Sequence, residues 1–345
     1  MGNSVNILNN PQECIPRRRE QASRTSLWAI SAYYNPLGWR SRRRNYDVFR
    51  KRLAVPLLTV ELTYGERSEL ADDDADIVVR LRGESILWQK ERLLNVGLKH
   101  LPKEVQHVAW LDCDIVFAGN DWPERASRLL ETTPIVQLFD HVHDLAPGML
   151  PSDALPLPDV PSGYSIAHLI NSGSLRPDDL RPLAKTNLRR TLCGLAWAAQ
   201  RPLLEKHGFY DVCILGGGDR VMAYAAYGRL DDAIFRARLD PKRAAHYLGW
   251  ARPYYDSIRG NVGCLDGYLY HLWHGDIKNR KYFERHLELS TFSLDPATDL
   301  MLDDQGCWRW TARTGPLQDY VRSYFVSRSE DDTGSHASTQ ERPGQ

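Results

Sequence analysis

Over residues 27–139, short apolar runs alternate with segments of helical spacing. Leu27-Trp28-Ala29-Ile30-Ser31-Ala32-Tyr33 reads as a strand, ended by Asn35-Pro36. Tyr46, Phe49, Arg50 and Leu53 then fall at the helical period. Residues 57–62 and 77–81 read as the second and third strands. Residues 88–100 read as a helix, with Leu94 and Leu98 on one face and Lys90, Arg92 and Lys99 elsewhere. A strand at 107–111, a helix at 122–131 and a strand at 135–139 continue the series. Such alternation predicts an α/β fold whose central sheet is mostly parallel and flanked by helices.

From about 143 to 163 the pattern breaks, and seven prolines fall between 147 and 182, so long lid-like or binding loops are expected. Regular segments resume at 194–199, with helices at 201–207 and 219–227 and a strand at 268–274. Residues 1–25, with Arg17, Arg18 and Arg19, read as a flexible arm, and residues 327–345 as a disordered tail. Between them lies one domain, 26–326, with halves at 26–142 and 143–326.

Composition excludes more than it selects. Apolar residues make up 42% and charged residues 26% of 345, ordinary for a globular protein of this length. Lys+Arg and Asp+Glu are 44 each, so no global basic surface for nucleic acid is indicated. The six cysteines (14, 113, 193, 213, 264 and 307) form no C-x-x-C pair and suggest free thiols in a reducing compartment. No apolar run reaches signal-peptide or membrane-span length, so a cytoplasmic location is expected. The basic arm leaves room for a peripheral membrane contact.

The chemistry concentrates at Asp112-Cys113-Asp114, which closes the apolar run 107–111. Two carboxylates one residue apart at a strand end make a hard-oxygen site for a divalent cation with open positions. Ligands of open α/β sheets collect at such carboxyl ends, and a diphosphate can fill the open positions. Asp219 follows Gly216-Gly217-Gly218, so the backbone can approach a substrate closely. Asp219 suits a general base, or simply the cap of its helix. His271 and His274 lie three apart on the expected strand 268–274, and residues so spaced point to opposite faces, so one ligand is expected of the two. Asp72-Asp73-Asp74 with Asp76 reads as a solvated turn. Arg40, Arg42, Arg43 and Arg44 read as a solvated face close enough to the first strand end to meet a diphosphate or an anionic acceptor.

The stretch Trp88-Gln89-Lys90-Glu91-Arg92-Leu93-Leu94-Asn95-Val96-Gly97, followed by Asp112-Cys113-Asp114 and Asn120-Asp121, resembles the donor-binding half of beta-1,4-galactosyltransferase-type enzymes. Those have the glycosyltransferase A (GT-A) fold. Cys193-Gly194-Leu195-Ala196-Trp197-Ala198, Gly208-Phe209 and Gly216-Gly217-Gly218-Asp219 are similar to their acceptor and catalytic segment, and His271-Leu272-Trp273-His274 is placed like their last metal ligand. The chain departs from the family at Gly218, where an acidic residue usually precedes the catalytic Asp, and it lacks the secretory membrane anchor.

The resemblance implies a hexosyltransferase that moves a sugar from a nucleotide sugar, a UDP-sugar by preference, to a hydroxyl acceptor by inverting single displacement. It implies Mn2+ or Mg2+ held by Asp114, with Asp112 as a second ligand or a partner of the ribose, and by His274 in preference to His271. Tyr33, Asn35, Pro36, Glu61, Trp88 and Lys90 would contact the donor, Gly217, Gly218 and Trp197 the acceptor, and Asp219 would be the base. Polysaccharide assembly is the expected setting. A retaining transferase on the same scaffold and a catalytically silent carbohydrate- or nucleotide-binding module remain as alternatives. A nucleotidyltransferase is disfavoured, because 35–40 is a poor triphosphate loop.

Overall fold

A computed structural model describes residues 26–153, 157, 160–180, 191–312 and 314–331. The first half holds β1 (Leu27–Tyr34), α1 (Arg40–Arg52), β2 (Leu57–Thr63), β3 (Ile77–Arg82), α2 (Lys90–His100), β4 (His107–Leu111), β5 (Ile115–Phe117), α3 (Trp122–Leu130), β6 (Ile135–Gln137) and β7 (His141–Asp144). Next come β8 (Gly163–Ser165), α4 (Ile166–Asn171), β9 (Thr191–Leu192), β10 (Ala196–Gln200), α5 (Arg201–His207), α6 (Gly218–Ala226), α7 (Leu230–Ala237) and α8 (Pro241–Ile258). The chain continues through β11 (Val262–Cys264), β12 (Tyr268–His271), α9 (Glu284–Leu289), α10 (Pro296–Asp299), β13 (Leu300–Leu302), β14 (Trp308–Trp310) and α11 (Pro316–Ser327).

Seven strands form the central sheet in the order β11-β6-β10-β4-β1-β2-β3. β4, β1, β2 and β3 are parallel neighbours, and β10 alone runs antiparallel to the strands beside it, β4 and β6. β1, β2 and β4 read as nearly unbroken apolar runs because both faces of the sheet are covered. On one face α2 packs Leu93, Leu94 and Leu98 against Ile30, Leu58 and Val60. On the other, Tyr46 and Phe49 of α1 join Leu27, Ala29 and Leu57. The α/β class expected from the alternation is the class observed. Parallel β1, β2 and β4 bring Tyr34, Thr63 and Leu111 to one edge, so Asp112 and Asp114 emerge at the carboxyl end of the sheet.

Of a second sheet, in the order β5-β12-β7-β8-β9, only β12 was legible in the sequence, because the other strands are only two to four residues long. Its registers position the site: His271 pairs with Ile115 of β5 on one side and with Asp144 of β7 on the other. Asp114, next to Ile115, is thereby carried to His271. The expected strand 135–139 ends at Gln137, and the expected strand 268–274 ends at His271.

The expected tail also begins too early. α11 runs to Ser327, and Arg328 and Glu330 are buried. Asp331 accepts hydrogen bonds from the backbone N–H groups of Arg40 (2.8 Å) and Ser41 (2.7 Å) at the start of α1. The remaining residues assigned to the arm and tail, 1–25 and 332–345, lie outside the described residues. Among the described residues no helix is long and apolar enough to cross a membrane.

Candidate functional site

Three side chains from two distant segments converge beyond β4. Donor atoms of Asp114, His271 and His274 all lie within 4.8 Å of one another. His274 Nε2 is 3.1 Å from Asp114 Oδ2 and 3.1 Å from His271 Nε2, and His271 Nε2 is 3.8 Å from Asp114 Oδ1. Two ligands about 2.1 Å from one ion and at right angles stand about 3.0 Å apart, so the spacing fits one cation. Because β12 stops at His271, the chain turns and brings His274 back to the same point. The expectation that the two rings face opposite ways fails for this reason.

Protonation agrees with that fit. Asp144 Oδ1 is 2.8 Å from His271 Nδ1, which places the ring proton there and leaves the Nε2 lone pair facing the cluster. Burial, reinforced by the nearby Arg280 guanidinium, holds His274 well below its ordinary pKa and therefore neutral. Burial raises the Asp114 carboxyl, and its Oδ1 is buried without a hydrogen-bond partner. A buried carboxylate oxygen with no donor is costly, and a cation among three lone-pair donors would relieve that cost. Arg280 Nη2 already lies 2.6 Å from His274 Nε2, so positive charge is in place beside the cluster.

The second group centres on Lys90, at the start of α2. Its ammonium donates to Asp112 Oδ1 (2.6 Å) and to Asp219 Oδ2 (2.7 Å). Burial alone would lower its pKa, but the two carboxylates outweigh it and hold Lys90 well above the usual lysine value. Burial pushes the Asp219 carboxyl up against the pull of Lys90. The N-cap of α6 is Gly217, held at φ +95, and no side chain caps this helix. Asp219 sits in the first turn with its carboxylate directed at Lys90, so capping does not account for it. Replacing Lys90 with Met is expected to lower stability by about 1–3 kcal/mol at pH 7, since two half-buried carboxylates lose their cation. That loss should shrink as acid protonates them, which denaturant titrations at pH 7 and pH 4 would read.

At Gly218 the structure leaves no room for a side chain. A Cβ there would lie 2.3 Å from Glu91 Oε1 and 2.4 Å from its Cδ. Glu91, on α2 and 2% exposed, brings its carboxyl group to the space an acidic residue at 218 would need. Burial, and then the Asp219 charge, push the Glu91 carboxyl up to about 8, so it is largely protonated at neutral pH. Gly218→Ala is expected to cost about 1–3 kcal/mol through overpacking, measurable by urea denaturation. The paired variant Gly218→Ala/Glu91→Ala should recover part of that loss.

Both groups open into one cavity of about 460 Å³ at the carboxyl end of the sheet. Of the expected residues, Trp88, Lys90, Asp112, Asp114, Gly217, Asp219, His271 and His274 line it. Asp112 falls outside the three-residue donor set, held instead by Lys90. Tyr33, Asn35, Pro36 and Glu61 line a separate cavity of about 270 Å³. Glu61 is 1% exposed and already accepts from the N–H groups of Glu69 (2.6 Å) and Leu70 (3.1 Å) and from Ser68. Its carboxylate is committed to that loop, contrary to the expectation of a free donor contact.

Two acceptor expectations also fail. Trp197 is 3% exposed, stacks on Trp110 with ring centroids 6.2 Å apart, and donates to the Cys193 carbonyl, so it belongs to the core. Gly218 is buried against Glu91 and does not line the cavity.

Beyond Arg42 and Arg280, which the sequence placed within reach of a phosphate, the site gathers arginines that the sequence left unassigned. Arg42, Arg220, Arg280, Arg285 and Arg328 all line the cavity. Arg42 Nε and Arg328 Nε lie 2.6 Å and 2.5 Å from the Glu330 carboxylate. Although burial alone would raise it, these guanidinium groups hold that carboxyl at about 2. The basic run after β1 therefore divides: Arg42 enters the cavity, while Arg43 pairs with Asp74 of the acidic turn, as Arg50 further along α1 pairs with Asp76.

No protein-family model and no curated protein matches this chain. Among solved structures, S. aureus TarS 1–349 in complex with UDP-GlcNAc aligns at TM-score 0.38 and 12% identity over 79% of this chain and 68% of that one. Glucosyl-3-phosphoglycerate synthase from Mycobacterium tuberculosis, in complex with Mn2+, UDP-glucose and phosphoglyceric acid, aligns at TM-score 0.38 and 12% identity over 90% and 97%. The 4-diphosphocytidyl-2C-methyl-D-erythritol synthase of Anaerococcus prevotii aligns at 0.34 and 10% over 72% and 89%. Likenesses this loose carry no argument about activity.

Proposed function

We propose that this chain is a divalent-metal-dependent glycosyltransferase of the GT-A type, moving a sugar from a nucleotide sugar, a UDP-sugar by preference, to a hydroxyl acceptor. One observation carries the reading: Asp114, His271 and His274 share a cavity with Asp219 at the carboxyl end of a mostly parallel sheet. Such edges are where open α/β folds bind nucleotides. Asp114, His271 and His274 would hold the cation, which when bound stabilises charge on a departing diphosphate.

The chain's own groups supply the rest. Arg42, Arg280 and Arg328 face the space a diphosphate would enter and can donate to its oxygens. Asp219 accepts the proton of the acceptor hydroxyl, whose oxygen bonds to the anomeric carbon. The bond from that carbon to the diphosphate oxygen breaks, and its electron pair leaves with the diphosphate. A raised pKa makes Asp219 a better base for that step. Attack and departure on opposite faces invert the anomeric centre. Trp88, half-buried and edge-on to Tyr34 at 5.8 Å, offers a flat wall to the nucleotide. The free thiols of Cys113, Cys193, Cys213, Cys264 and Cys307 suit a reducing compartment, the cytoplasm, as the place of work.

The test is a donor screen in manganese or magnesium that follows nucleoside diphosphate release with and without hydroxyl acceptors. Metal-stimulated release from UDP-linked donors supports the reading. The absence of metal-stimulated release from every donor would leave only a binding module.

A further inference from the structure

The wall of the main cavity carries six cationic side chains, Arg42, Lys90, Arg220, Arg280, Arg285 and Arg328, against four carboxylates, Asp112, Asp114, Asp219 and Glu330. Lys90 is neutralised by Asp112 and Asp219, and Arg42 and Arg328 share Glu330. Among the described residues, Arg220, Arg280 and Arg285 form no ion pair with a carboxylate within 4.0 Å. Arg285 is 4% exposed; its guanidinium rests on the rings of Tyr282 and Tyr324 and, among the described residues, donates only to neutral groups, the Tyr324 hydroxyl (2.5 Å), the Arg280 carbonyl (3.5 Å) and His286 Nε2 (3.4 Å). A buried guanidinium without a counter-ion is unfavourable unless a ligand supplies the anion.

The three arginines without a carboxylate partner occupy two ends of the cavity. Arg280 lies against His274, at the cation end. Arg220 directly follows Asp219, and both Arg220 and Arg285 bear on His286, whose pKa burial and these charges hold well below its ordinary value. The His286 ring is what a Cβ on Gly217 would meet at 3.2 Å, so Arg220 and Arg285 belong to the Asp219 end. A divalent cation and a nucleoside diphosphate ester carry opposite charges of about two each, so seating both leaves the surplus of two cations standing. That surplus matches the charge of about −1.5 to −2 on a phosphate monoester at pH 7.

Building on the glycosyl-transfer reading, we infer that the acceptor carries a phosphate monoester beside its reacting hydroxyl, bound by Arg220 and Arg285. Planar guanidinium forks pair with phosphate oxygens two at a time, which also fixes the orientation of the neighbouring hydroxyl toward Asp219.

The experiment titrates sn-glycerol 3-phosphate, with glycerol as control, into the full chain already saturated with UDP and Mg2+, so that the diphosphate position is filled. Calorimetry is expected to show one further site for the phosphate compound and none for glycerol, weakened at least tenfold in Arg220→Gln and in Arg285→Gln. Because Arg285 is buried and its replacement can impair folding, the half-buried Arg220 keeps the test decisive on its own. An absence of binding at millimolar concentration, or equal binding in Arg220→Gln, overturns the proposal. Failure of UDP to bind overturns the nucleotide-sugar reading instead, and the same titration in Mg2+ alone then still decides the anion site. Hexyl phosphate run beside glycerol 3-phosphate separates the sources: tighter binding marks a lipid-linked acceptor and weaker binding a soluble one, both in support.

Discussion

Asp219→Asn is expected to lower sugar transfer by about 10²–10⁴-fold while leaving UDP and Mg2+ binding within a few-fold of the parent. Asparagine keeps the shape of the side chain and can still accept a hydrogen bond from Lys90, which lies 2.7 Å from Asp219 Oδ2. What it loses is the capacity to take a proton. Lys90 retains its second partner, Asp112, at 2.6 Å, so the loop between β4 and β5 stays tied to α2. The Asp114–His271–His274 cluster is not touched, because Asp219 is not part of it. Nucleoside diphosphate release gives the rate, and calorimetry with UDP and Mg2+ gives the binding. A variant that transfers sugar as fast as the parent would remove Asp219 from the base role. Loss of UDP binding along with turnover would instead make the Asp219–Lys90–Asp112 bridge a structural tie of the cavity.

The legibility of this site followed the range of the interactions that build it. The apolar run 107–111 and the acids after it form a local pattern, and the structure puts them where a buried strand would deliver them. Gly216-Gly217-Gly218-Asp219 was likewise visible in sequence, since positive φ at Gly216 and Gly217 is a local requirement. By contrast, His271 and His274 were read through a strand period that the chain abandons at residue 271, and strand ends depend on tertiary pairing with β5 and β7. Trp197 looked like an acceptor platform, but the antiparallel register that places it opposite Trp110 makes it core. Arg42 and Glu330 are 288 residues apart, and no spacing rule joins them. Glu91 could have been noticed: it is an acid on the mostly apolar side of α2, and the structure packs its carboxyl group against Gly218.

The cation cluster makes a prediction with opposite signs in two conditions. Asp114→Asn is expected to weaken Mn2+ binding by at least about 100-fold, because it removes the charged donor and leaves two neutral rings. In the metal-free protein the same change should be neutral or stabilising. The Asp114 carboxyl is raised above its unfolded value by burial, so the folded state holds that proton more tightly than the unfolded chain does. Stability from such a group is present at low pH and lost as pH rises through the folded pKa, so at neutral pH the ionised carboxylate is a cost. Asparagine removes that cost and offers Oδ1, buried without a partner in the parent, no charge to desolvate. With Mn2+ at about 100 times its dissociation constant, the parent should gain about 2.7 kcal/mol by mass action and Asp114→Asn almost nothing. Asp144→Asn, which changes the group 2.8 Å from His271 Nδ1, should weaken Mn2+ binding by about 10–100-fold, because it loosens the tautomer without deleting a donor. Thermal unfolding with and without Mn2+, run beside direct Mn2+ titration, reads all three. If Asp114→Asn keeps the metal-dependent stabilisation of the parent, the ion is bound elsewhere, and the close approach of Asp114, His271 and His274 is only packing.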